Sequence, residues 1–96
     1  MSKMYKRVVC EDGFSVSIQA GPHKYCEPRT DYTSMFGYKS VELGYPNRPC
    51  AFIVDYAEDP GDLTGTVYGY VPADVVRKMI LAHGGMVEGE CPPLAR

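Results

Sequence analysis

Ninety-six residues with a net charge of −2 and a pI near 5.6 make one domain rather than two, and the charge argues against a protein that holds duplex nucleic acid by its phosphates. The apolar fraction is ordinary, but the chain has no Trp and eight Tyr, a ring that offers contact area while its hydroxyl tolerates water. No apolar run approaches the roughly 18 residues of a membrane helix, and the start MSKMYKRVV lacks a signal-peptide core, so the expected location is the cytoplasm.

In chain order, residues 4–10 are strand-like, Glu11, Asp12 and Gly13 mark a turn, and Phe14, Val16, Ile18 and Ala20 alternate with Ser15, Ser17 and Gln19. This pattern predicts a β-hairpin with one buried and one wet face. The stretch GPHKYCEPRTDYTSM has no periodicity and reads as a long loop, which in a small domain is uncommon unless functional. YKSVELGY predicts a third strand, PNRP a turn, and the dense apolar run CAFIVDY a fourth, more buried strand. An acidic loop, AEDPGDLTG, leads to a fifth strand over residues 67–71. Pro72 then suits a helix start, Asp74 its positive end, and Gly84 with Gly85 a left-handed stop, so the helix is expected over residues 72–83. Val75, Val76, Met79 and Ile80 line one side of it, with Asp74, Arg77 and Lys78 opposite. The tail MVEGECPPLAR is expected to dock only loosely, so that residues 1–96 form a single α+β domain with 85–96 as its tail.

No residue pattern announces catalysis. Cys10, Cys26, Cys50 and Cys91 contain no CxxC pair and are expected to be free thiols, Cys10 and Cys50 filling small core positions. Neither zinc nor a cofactor is implied. His23 and Cys26 lie three residues apart but lack a visible orienting group, and His83 is explained by the negative end of the helix dipole. Asp55, Glu58, Asp59 and Asp62 crowd one loop at spacings unlike an EF-hand. Two surfaces remain. His23, Lys24, Tyr25, Arg29 and Tyr32, with Arg48 from the next loop, mix cations and rings as a nucleotide ligand requires; the same residues also suit a solvated loop pinned by Tyr25. The acidic loop between Tyr56 and Tyr68 suits a basic protein surface, or a solvated connector with an Asp-Pro-Gly turn.

VYGYVPADVVRKMILAHGG, together with DGFSVSIQA, YCEPR and YKSVELGYP, resembles a set of small uncharacterised proteins encoded by tailed bacteriophages, over nearly the whole chain. The resemblance carries no catalytic residue. It implies expression in the cytoplasm of an infected bacterium and an accessory role such as counter-defence. The combined expectation is an α+β fold, an antiparallel sheet of four to five strands with one C-terminal helix packed on one face. Function is expected to be non-enzymatic: inhibition of a host defence protein such as a CRISPR effector through Tyr56, Glu58, Asp59, Asp62 and Tyr68. The alternative is a homo-oligomeric sponge that holds a cyclic nucleotide or nucleotide-derived immune signal through His23, Lys24, Tyr25, Arg29, Tyr32 and Arg48. Neither reading involves a membrane or direct duplex DNA binding.

Overall fold

Alternating apolar residues build the sheet in the computed structural model, which describes residues 4–31 and 36–96. Strands β1 (Val8–Cys10), β2 (Ser15–Gln19), β3 (Ser40–Gly44), β4 (Val67–Pro72) and β5 (Met86–Glu88) form an antiparallel sheet in the order β4-β3-β2-β1-β5. Helix α1 (Ala73–Ala82) follows β4 without a linker, Pro72 serving as its N-cap. The expected α+β fold with one helix is therefore present. Its predicted ends differ from the observed ones by a residue each, because Pro72 keeps an extended ψ of 147° and stays outside the helix.

Cross-strand pairs place the core on one face. Val8 opposes Val16, Ile18 opposes Leu43 and Val41 opposes Val71, all of them fully buried. Val76 and Met79 of α1 join the same cluster, with Val75 and Ile80 packed half-buried against it, so the stripe read from the sequence is the face that the helix buries. Strict alternation would turn Val71 away from a core that holds Tyr68. Instead β4 contains an irregularity opposite Val41 and Leu43, with Tyr70 in the left-handed region at φ 52°. The extra residue restores both Tyr68 and Val71 to the core side and leaves Tyr70 exposed.

Two elements differ from the sequence expectation. CAFIVDY is not a strand: residues 51–53 form turns and Val54–Tyr56 a 3-10 turn. In that run only Cys50 and Ile53 are buried, whereas Ala51, Phe52, Val54 and Asp55 are exposed. Prolines at 46 and 49 precede it, and a dense apolar run carries no period that distinguishes a strand from a short helical turn. The fifth strand comes from the tail, whose expected loose docking is corrected. β5 pairs with β1, the Glu90 N–H donates to Lys6 O at 3.0 Å, and the Tyr38 N–H and Ala95 N–H bond Pro93 O and Tyr38 O at 2.8 and 2.7 Å. Arg77 adds a bond to Leu94 O at 3.0 Å. Backbone pairing holds this segment, and composition does not reveal such pairing. Among the described residues no helix is long and apolar enough to cross a membrane.

Candidate functional site

The site begins with the way the β1–β2 turn meets the end of α1. Asp12 accepts the Phe14 N–H at 2.9 Å through Oδ1 and Gly13 adopts φ 89°, which closes the hairpin. The exposed amides of this turn then donate to the helix end, Asp12 N–H to His83 O at 3.1 Å and Glu11 N–H to Gly85 O at 2.9 Å. Gly84 permits the approach: a Cβ there would stand 2.8 Å from Glu11 Cβ, and its φ is 91°. These backbone contacts bring Asp12 and His83, 71 positions apart, into contact at 2.7 Å between Oδ2 and Nδ1. Phe14 stacks on the imidazole with ring centroids 4.0 Å apart and planes within 9°.

A third segment completes the arrangement. Asn47 clamps the loop after β3 to the hairpin, accepting the Ser15 N–H at 2.9 Å and donating to Gly13 O at 2.9 Å. Cys50, three residues on, then lies with Sγ 3.6 Å from His83 Nε2. Because Asp12 accepts, a neutral His83 holds its proton on Nδ1 and turns the Nε2 lone pair to the thiol. Arg48 pairs with Asp12 at 2.8 Å. The Phe14 N–H first, and the His83 ring second, hold the Asp12 carboxyl below its ordinary value. Cysteine, imidazole and carboxylate thus stand in the order nucleophile, base, orienter. Cys50 also lines a concavity of about 300 Å³ with Pro49, Ala51, Val54 and Leu63. The base partnered to a thiol was invisible in the sequence because the three residues come from a turn, a loop and a helix end. Cys50 is buried as expected, and His83 has a fuller explanation than the helix dipole alone.

The residues singled out from the sequence separate into three groups. Glu58, Asp59 and Asp62 are exposed, with Asp59 capping its own turn by accepting the Gly61 N–H at 3.0 Å. Tyr56 is half-buried against the core. Tyr68 is corrected: its ring is fully buried and its hydroxyl donates to Leu63 O at 2.5 Å, so it presents no contact surface. Burial and the nearby acidic groups raise its phenol pKa.

The nucleotide set does not converge. Arg48 sits beside the β1–β2 turn, at the opposite end of β2 from the loop with His23, Lys24, Tyr25 and Arg29, and Tyr32 lies outside the described residues. Tyr25 is exposed, and its ring lies 6.0 Å from that of Tyr70. The residue that pins the loop is Cys26, 1% exposed, whose thiol sits 3.3 Å from both Gly21 O and Pro28 O; its neighbours are backbone, and His23 is exposed. A different cationic concavity of about 590 Å³ is bounded by Phe36, Lys39, Leu94, Ala95 and Arg96. All four cysteines are free thiols. Among the described residues no group of three or more His, Cys, Asp or Glu side chains is arranged to hold a metal ion. No family model, curated protein or solved structure matches the chain.

Proposed function

We propose that the protein works by docking onto a basic protein surface, and that in the phage setting implied by the resemblance this surface belongs to a bacterial defence protein such as a CRISPR effector. One observation carries the reading. On segment 49–63, exposed Val54 lines an apolar concavity, exposed Phe52 follows its lining residue Ala51 in the chain, and the exposed carboxylates of Asp55, Glu58, Asp59 and Asp62 come directly after. An apolar centre with a charged rim is the anatomy of a protein interface, and a rim of one sign selects a partner of the other sign while steering its approach. Phe52 and Val54 replace Tyr68 as the apolar contacts; Glu58, Asp59 and Asp62 keep the role read from the sequence. Docking of this kind needs no turnover.

The test expresses the protein in bacteria carrying one defined CRISPR effector at a time and measures phage plaquing. Where the wild type restores plaquing, Phe52→Ala and the triple change Glu58→Lys, Asp59→Lys, Asp62→Lys should abolish it, Arg29→Ala should not, and cross-links to the effector should fall within residues 49–63. Full activity of the charge-reversed protein, or cross-links elsewhere, refutes the reading. Nucleotide sequestration is favoured by a separate observation, the concavity bounded by Phe36, Lys39 and Arg96, which offers a ring and two cations. Native mass spectrometry with a pool of bacterial cyclic oligonucleotides tests it: a retained nucleotide lost on Lys39→Ala supports it, and an unliganded monomer refutes it.

A further inference from the structure

We propose that Cys50, His83 and Asp12 form a nucleophilic thiol site that transfers small apolar acyl groups from activated esters or thioesters to water, an activity that goes beyond docking and does not depend on it. The geometry separates Cys50 from the other thiols. Cys26 is directed at backbone carbonyls, and Cys10 shares the buried core with Cys50, but Cys50 also lines the concavity of about 300 Å³. Burial pushes the Cys91 thiol up to about 11, against chemistry at neutral pH. Cys50 alone has an imidazole nitrogen at 3.6 Å, and that ring is fixed in plane by Phe14 and in tautomer by Asp12.

The surroundings select the substrate class. Pro49, Ala51, Val54 and Leu63 bound the 300 Å³ concavity without a charged side chain, so it admits a short apolar acyl group and disfavours a charged one, which would lose its water without a partner. Ala51, which also lines the concavity, has a backbone N–H that finds no acceptor among the described residues. Donors of this kind stabilise the oxyanion of a tetrahedral intermediate.

The reaction balances with water as the co-reactant. As Sγ attacks the carbonyl carbon, its proton passes to His83 Nε2. The carbon–sulfur bond forms, the bond to the leaving group breaks, and His83 returns the proton to the departing oxygen or sulfur. Water then attacks the acyl-cysteine, His83 accepts its proton, the carbon–sulfur bond breaks, and His83 returns the proton to Sγ, which restores the thiol as the carboxylic acid leaves. Asp12 touches no reacting atom and is a positioning residue.

The full-length protein is mixed with p-nitrophenyl acetate. Nitrophenol release is followed alongside intact mass and peptide mapping of all four cysteines. The expected result is a stoichiometric burst with one acetyl group on Cys50 ahead of the other thiols, followed by steady release. Cys50→Ser should lose the burst in a protein that still unfolds cooperatively, and His83→Gln should slow acylation by about 100-fold or more. Asp12→Asn should slow it and alter the shape of the pH–rate profile, which a purely structural loss would not do. Within the wild type, the ratio of Cys50 to Cys91 acylation gives a reading that needs no variant to fold. Acylation of another cysteine before Cys50, a burst without subsequent release, or a folded His83→Gln protein reacting within threefold of wild type overturns the proposal.

Discussion

Substituting Gly89 with alanine tests directly whether the tail belongs to the sheet. Gly89 follows β5 with φ 95°, and a Cβ there would overlap the Arg7 carbonyl oxygen and stand 2.6 Å from its carbon and 2.7 Å from Val8 Cα. These are backbone atoms of and beside β1, so no side-chain rotation relieves the clash. A left-handed backbone costs a non-glycine residue about 1–2 kcal/mol, and forcing extra volume into a packed site costs about 1–3 kcal/mol more, giving a loss of about 2–5 kcal/mol. Detachment of β5 is the other way out. It forfeits the Glu90 N–H to Lys6 O and Lys6 N–H to Glu90 Oε1 bonds, both 3.0 Å, together with the ladder to Val9 and Cys10, at about 1 kcal/mol net per bond. Whichever route is cheaper sets the observed loss. Gly85→Ala is the control, because its φ is 93° but nothing lies within 4 Å of its Cβ, leaving only the backbone term. Urea denaturation supplies both free energies, and hydrogen exchange of residues 6–10 reports whether β1 has lost its outer neighbour. If Gly89→Ala destabilises no more than Gly85→Ala and exchange in β1 is unchanged, β5 is not paired and the argument fails.

Three further outcomes follow from single groups. Tyr68→Phe removes a buried hydroxyl and leaves Leu63 O without its donor, so urea denaturation should show a loss of about 1–3 kcal/mol, with the docking proposed above unaffected because the ring is buried. Asp12 has a lowered carboxyl pKa through the Phe14 N–H and His83; its stabilisation is present above the unfolded value near 3.8 and disappears as pH falls through the lower folded value. Asp12→Asn should therefore flatten the acid limb of Tm against pH below about 4, and an unchanged limb would contradict this linkage. Cys91 runs the opposite way: burial raises its thiol from 9.0 to about 11, so the folded state retains its proton longer and stability falls as pH rises through that window. Thermal melts of Cys91→Ala should lose an alkaline slope amounting to about 2–3 kcal/mol, and a slope identical to wild type would exclude burial as its source.

Local rules made much of the architecture legible in advance. Alternation of Phe14, Val16, Ile18 and Ala20 against Ser15, Ser17 and Gln19 dictates a strand with one buried face, Glu11-Asp12-Gly13 dictates the turn, and the 75, 76, 79, 80 stripe between Pro72 and two glycines dictates a helix and its buried side. These signals act within a few residues and depend on no distant partner. CAFIVDY and the tail carried no comparable period, and their conformations were decided by neighbours. Ile53 is drawn into the core while Phe52 and Val54 are left outside, and β5 exists because β1 offers an open edge to a segment whose own three residues are all exposed. Distance in sequence hid the site for the same reason. Asp12, Cys50 and His83 each had a sufficient local role as turn residue, small hydrophobe and helix-end imidazole. Only the backbone bonds from the β1–β2 turn to the helix end, and the Asn47 clamp on the following loop, place the three within 2.7 and 3.6 Å of one another, because side-chain chemistry at a site is set by packing between elements that the chain itself keeps far apart.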